Sequence, residues 1–335
     1  MKESNIINDY LKKLVIYNNS SLKLNDDVFF DKLKKLVISV DTYIEGSHFI
    51  DFKKPELVIK KIIRSSISDL ICKGVTPKHY FIAGAGNRNS FNKFNLKKIL
   101  RSLHQEQKKF NISLGGGDTV FSKKLSFTIT TIGYSKKIIK RNNVKLNDDI
   151  YVTGNLGDSF IGLNILKKKI KVNNDLKKYF ENKFYQPSLH LKFSRKLSIF
   201  ANSSIDISDG LVTDLEKLIN KQNLSYRLLI DRIPISSKLK KLISLKKIKK
   251  ELLVSNGDDY QILFTAKPSK NRIILKIAKS FGTKISKIGK ICSSSTKSEI
   301  LDQKGMKIRL KNKGYFHKFW KKSLPFIFFF VLCEF

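Results

Sequence analysis

Acidic residues are the scarce class in this 335-residue chain: 28 Asp and Glu stand against 66 Lys and Arg, a formal net charge of +38. Cysteine is scarcer still, confined to Cys72, Cys292 and Cys333. An odd count without paired spacing excludes a disulfide framework and a zinc knuckle. The common nucleotide signatures are missing too. Nothing matches GxxxxGK[ST], and Gly84-Ala85-Gly86 lacks the third glycine and the acidic partner of a dinucleotide fingerprint. The opening stretch, Met1 to Tyr10, is polar and has no signal-peptide character. The apolar run from Pro325 to Phe335 falls short of the roughly 20 residues that a bilayer span needs. No transmembrane segment is expected, and the cytoplasm is the expected compartment.

What is abundant is lysine, spread along the chain in pairs such as Lys12-Lys13, Lys34-Lys35, Lys97-Lys98 and Lys240-Lys241. A dedicated nucleic-acid site would concentrate its basic residues in one block with interleaved aromatics. The scatter predicts a solvated basic surface that attracts small anions, and no specific nucleic acid.

Strand and helix patterns alternate. Leu36 to Val40 reads as a buried strand that ends on Asp41. Pro55 suits a first helical turn; Val58, Ile59, Ile62, Ile63, Ile67, Leu70 and Ile71 follow at helical spacing, and Gly74 stops the helix. A second helix is predicted over 96–109, then a loop at Gly115-Gly116-Gly117-Asp118, then an alternating strand over 125–132. A further set follows: strands over 150–153, 226–230 and 260–265, and helices after Gly157, over 188–200, after Gly210 and over 271–281. The reading is α/β (α+β): an N-terminal domain over 1–140, a C-terminal α/β domain over 141–320 and an apolar tail over 321–335.

The few acids sit at turn-like junctions: Asp26-Asp27, Asp41, Asp69, Asp118, Asp206, Asp209 and Asp258-Asp259. Strand ends and glycine turns are where an α/β sheet exposes ligand-binding groups. Magnesium takes oxygen ligands, a few carboxylates together with substrate phosphates. Separate aspartates converging on one cleft would suit a polyphosphate with magnesium, although each one alone also reads as a helix cap or turn former. Asp206-Ile207-Ser208-Asp209 reads as the polar end of a strand, and the triple glycine before Asp118 would let backbone approach a phosphate.

In order, NDDVFF (25–30), SVDTYIEGSHF (39–49), SISDLICKGVTP (66–77), LGGGDT (114–119), YVTGNLGDS (151–159), IDISDGLVTDL (205–215), SNGDDYQILF (255–264) and NKGYFHKF (312–319) resemble the thiamine-monophosphate kinase family. That family lies within the aminoimidazole ribonucleotide synthetase-like superfamily. The resemblance implies a two-domain fold with mixed sheets and flanking helices, dimerising through its N-terminal domains. It implies magnesium at Asp27, Ser39, Asp41, Asp69, Asp118, Asp206 and Asp209. It implies ATP contacts at Gly117, Asp118, Arg141 and Ser208, and thiamine monophosphate contacts at His48, Asp258 and Tyr315. Asn25 stands where the family has glycine, Val40 where threonine is common, and Asn256 and Asp258 where glycine and glutamate are usual.

The activity so implied is in-line transfer of the ATP γ-phosphoryl group to the phosphate of thiamine monophosphate. A phosphate monoester is largely dianionic at neutral pH, so no general base is assigned. Three alternatives differ in their requirements. A sister enzyme of the superfamily would use ATP on another acceptor; a selenide enzyme would carry an early reactive cysteine, which is missing before Cys72. A relative that only binds nucleotide would not need the full aspartate set. A nucleic-acid-binding protein would need clustered stacking aromatics on a basic face.

Overall fold

The computed structural model describes residues 3–220, 222–246 and 248–315. The apolar tail, 321–335, and the end of the 312–319 segment lie outside the described residues. Along the chain run α1 (Glu3–Asp9), β1 (Phe29–Asp31), β2 (Leu36–Ile44), α2 (Pro55–Cys72), β3 (Pro77–Gly86), α3 (Lys93–Phe110), β4 (Ser113–Phe121) and β5 (Ser126–Tyr134). These are followed by β6 (Asp149–Thr153), α4 (Asp158–Leu166), α5 (Asn174–Tyr185), α6 (Leu191–Ser194), β7 (Ala201–Asp206), α7 (Leu211–Ile219) and β8 (Leu224–Leu229). The described chain closes with α8 (Ser237–Lys246), α9 (Lys250–Val254), β9 (Ile262–Ala266), α10 (Asn271–Ser280), β10 (Ile285–Ser293) and β11 (Glu299–Leu301).

Two mixed sheets result, in the orders β1-β2-β5-β3-β4 and β11-β8-β10-β6-β9-β7. The first uses residues before 135 and the second residues after 148. Between them lies α2, packed against β2 and β5 on one side and β7 and α5 on the other. Its burial explains its composition. Val58, Ile59, Ile62, Ile63, Ile67, Leu70 and Ile71 are all at most 1% exposed, and each such side chain contributes about 1.5–3 kcal/mol by leaving water. Pro55 occupies the first turn, where no N–H is needed, and Gly74 follows the helix at φ +77°. One apolar cluster joins Ile62, Ile67 and Phe127 to Phe184, Phe193 and Phe264, so the two sheets share a core.

Several local expectations change. The strand expected to end at Asp41 continues to Ile44, because Thr42, Tyr43 and Ile44 pair with Thr128, Phe127 and Ser126. Gly115 to Asp118 is not a loop but the middle of β4, parallel to β3 with Gly117 opposite Ile82. A Cβ on Gly117 would stand 1.8 Å from the Ile82 carbonyl oxygen. Close strand packing therefore requires glycine there. The single helix expected over 188–200 is the short α6 and a separate 3-10 turn at Leu197–Ile199. The strand read through Asp209 stops at Asp206.

Candidate active-site cleft

The end of β2, the C-terminal half of α2, the start of α7 and the 255–260 segment surround one cleft of about 850 Å³. Asp27, Asp41, His48, Asp69, Arg141, Asp206, Ser208, Asp209, Asp258 and Tyr315 all line it. Ser39 stands just behind, donating its hydroxyl proton to Asp69. Gly117 and Asp118 are not among the lining residues. They lie on edge strand β4, three strand steps from β2, roughly 14 Å at the usual spacing.

Asp41, Asp69 and Asp206 share a distinctive environment. Asp69 accepts from Ser39, Asp206 from Ser68, and Asp41 from the Tyr43 hydroxyl at 3.2 Å. None of the three forms an ion pair among the described residues. Burial, and then the charges of Asp41 and Asp206, push Asp69 well above the ordinary carboxylate range. Burial likewise raises Asp41, and pushes Asp206 up to about 6. Their hydrogen bonds come from hydroxyls, and the Lys73 charge, engaged elsewhere, acts on Asp69 and Asp206 only at a distance and offsets burial in part. Hard oxygen donors of this kind fit magnesium. Among the described residues, however, no three His, Cys, Asp or Glu side chains stand together as a finished metal cage. Substrate phosphates and water would have to complete the coordination.

The other aspartates are already matched. Arg141 holds Asp27 with Nε at 2.9 Å and with a second guanidinium nitrogen, and its backbone N–H donates to Asp26 at 2.9 Å. Lys217 pairs with Asp209 and, at 3.1 Å, with Asp214. Asp258 sits in the left-handed region at φ +67° and pairs at 2.7 Å with Lys61, whose side chain is 1% exposed. The Lys61 ammonium also lies 3.9 Å above the Phe184 ring.

His48 and Tyr315 border the same cleft from opposite ends of the chain. The His48 ring accepts the Ile44 backbone N–H at Nδ1, 3.0 Å away, and meets Tyr43 edge-on. Tyr315 is placed by its backbone N–H, which donates to the Asp209 carbonyl at 3.0 Å.

Sequence reasoning missed four residues that build the site. Asp214 accepts the backbone N–H groups of Ser208, Asp209 and Gly210 at 2.9–3.0 Å, so it shapes the loop that carries Ser208 and Asp209. The alternative reading of Asp209 as the cap of the following helix does not hold, since α7 has no side-chain cap at its N-terminus. Lys61, Lys73 and Lys217 supply the buried or half-buried cations. A lysine inside an apolar helical stripe, as Lys61 is between Ile59 and Ile62, was the available signal. Gly257 is a further constraint, since a Cβ there would stand 1.8 Å from the Ser208 carbonyl oxygen.

Residues 25–135 match the family described as AIR synthase related protein, N-terminal domain. The thiamine-monophosphate kinase of Buchnera aphidicola subsp. Acyrthosiphon pisum is 33% identical over 324 residues, covering 94% of this chain and 98% of that relative. The thiamine-monophosphate kinase of Haemophilus influenzae is 29% identical over 327 residues, covering 95% of this chain and 98% of that relative. Among solved structures, AaThiL complexed with AMPPCP and TMP superimposes with a TM-score of 0.80 at 23% identity, covering 95% of this chain and 99% of that one. That likeness shows the shared fold. With its ordered motifs gathered mostly around one cleft and a relative matched almost end to end, the chain belongs to the thiamine-monophosphate kinase family.

Proposed function

We propose that this chain transfers the γ-phosphoryl group of ATP to thiamine monophosphate, giving thiamine diphosphate and ADP. The observation that carries this reading is the presence of half-buried Asp41 and Asp69 and buried Asp206, none of them in an ion pair among the described residues, in the cleft that also presents Arg141 and Ser208. Family membership and the likeness to a fold solved with AMPPCP and TMP support the same pair of substrates.

Magnesium would be held by Asp41, Asp69 and Asp206, with Asp209 and the Ser39 hydroxyl beside them, and would supply charge neutralisation between donor and acceptor phosphates. The protein's own part is positioning. Arg141, anchored by Asp27, brings a fixed guanidinium to the anionic end of the cleft. Asp214 holds the loop amides so that Ser208 faces the cleft. His48, Asp258 and Tyr315 line the wall proposed for the acceptor. Its phosphate arrives as a dianion and attacks in line. Lys61 neutralises much of Asp258, so the pull on a thiazolium ring falls more on the Tyr315 face.

Gly117 and Asp118 keep a proposed role at the nucleotide phosphates, reached from the edge strand. A homodimer through the first sheet is proposed as well. Val40, Phe81, Leu114, Val120 and Tyr134 are exposed on its strands, apolar surface of the kind that association covers. A division near residue 140 and a cytoplasmic setting complete the proposal.

The test is an ADP-release assay over a panel of phosphorylated acceptors. Release is expected with thiamine monophosphate, and its absence there, with release on another acceptor, would remove the substrate assignment.

A further inference from the structure

Lys73 ends the central helix region, between Cys72 and Gly74, and its side chain is 0% exposed. Its ammonium lies 2.7 Å from Asp26 Oδ1 and 2.9 Å from Asp27 Oδ2, and it donates to the Ser204 carbonyl at 2.8 Å. An ammonium has three N–H donors, so these three oxygens satisfy it completely. Burying a lysine this fully is costly unless such partners are present. Arg141 adds a second cation on Asp27. The Asp26–Asp27 pair, two negative charges, thus faces two positive charges that belong to the chain. In the same cleft, Asp41, Asp69 and Asp206 have hydroxyl donors and no ion pair among the described residues. Within one cleft, then, two aspartates are held in ion pairs by resident cations and three are not.

We propose that Lys73 is a resident cation of the cleft, its ammonium standing at the Asp26–Asp27 pair where a divalent ion would otherwise sit, so that metal is recruited only on the Asp41–Asp69–Asp206 side. The proposal rests on the reading of this cleft as a magnesium–nucleotide site. Lys73 also fastens the end of α2 to β7 through Ser204, whose hydroxyl in turn donates to the Cys72 carbonyl at 2.5 Å. The ammonium is therefore fixed between β7 and the segment that precedes β1.

The test is Mn2+ binding to the full chain without nucleotide, followed by the electron paramagnetic resonance signal of the free ion. Lys73→Met should bind one more Mn2+ per chain than the unaltered protein. An unchanged count would overturn the proposal, whatever the unaltered protein binds. A milder substitution gives an independent reading. In Asp27→Asn, with Lys73 in place, Mn2+ affinity should stay within about twofold of the unaltered protein. A tenfold loss would make Asp27 a metal ligand in its own right and would equally overturn the proposal. The magnesium reading is checked separately by the Mn2+ count of the unaltered protein.

Discussion

Ser39 gives half-buried Asp69, and Ser68 gives buried Asp206, a hydrogen bond without a charge. The mutual repulsion of Asp41, Asp69 and Asp206 is a cost that a bound cation would relieve. For Asp206, pushed up to about 6 from 3.8, ionisation at pH 7.5 costs the fold on the order of 2–3 kcal/mol. Asp206→Asn should therefore melt in urea with EDTA at least as high as the unaltered protein, while ADP release falls by a hundredfold or more. A variant that is both less stable and still active would contradict this. Elsewhere in the cleft lining, Tyr315→Ala and Asp258→Asn should raise KM for thiamine monophosphate about tenfold and leave KM for ATP nearly unchanged, the pattern of a contact made to one substrate. His190, outside the residues that line the cleft, offers a separate pH handle. Burial lowers its pKa below 6.5, only partly opposed by the hydrogen bond with Gln261 at 2.9 Å. The unfolded ring then binds a proton at a pH where the folded ring does not, so stability rises with pH up to about 6.5 and is lost on acidification through that value. Relative to His190→Gln, the unaltered protein should lose unfolding free energy between pH 7 and 5.5. Parallel pH curves for the two proteins would show that the ring does not contribute.

At the scale of elements, β4 shows how one motif can serve two ends. The glycines of Gly115-Gly116-Gly117 were read as a phosphate-approach loop, yet their first physical role is to let β4 lie against β3. A Cβ on Gly115 would come within 2.8 Å of the Phe81 ring, which can move, whereas one on Gly117 would meet backbone, which cannot. Gly117→Ala should accordingly destabilise the protein by about 2 kcal/mol or more, read as a lowered thermal midpoint, and Gly115→Ala by less. Equal effects at the two positions would refute the packing explanation. Helix α2 works in the same double fashion. Its isoleucines fill the core, Ser65 and Asp69 line the cleft, and Ser66 and Ser68 hydrogen-bond Tyr43 and Asp206 behind it. The apolar periodicity made this helix easy to place. The interruptions in that periodicity carried the functional information.

Across the whole molecule, the two sheets are tied by polar contacts as well as by the shared apolar cluster. Arg64 forms a buried pair with Glu106 at 2.7 Å and donates to the Pro187 carbonyl at 3.3 Å. Lys61 and Lys73 cross the same seam to Asp258 and Ser204. Breaking such a seam exposes charges as well as side chains, so the two halves should unfold together. One coincident urea transition by fluorescence and far-ultraviolet circular dichroism is expected; two resolved transitions would mean that the seam is weak. The net charge of +38 does not alter this picture at the site, where Asp26, Asp27, Asp209 and Asp258 have local cationic partners and Asp41, Asp69 and Asp206 form no ion pair among the described residues.

Local patterning determined much of this protein. Alternation and helical spacing marked β2, α2, β5 and α10, because burial of one face imposes a period that survives in the residue order. The motifs also named the carboxylates, since strand ends and turns must be spelled by particular residue types. Tertiary structure alone decided which of those carboxylates carry a partner. Lys61 and Asp258 are 197 positions apart, and no spacing rule links them. Whether an aspartate is balanced, as Asp27 is by Arg141 and Lys73, or left short of charge, as Asp69 is, depends on what the fold brings within about 3 Å at low dielectric. Packing sets that distance, and it is the distance that separates a structural ion pair from a site waiting for a cation.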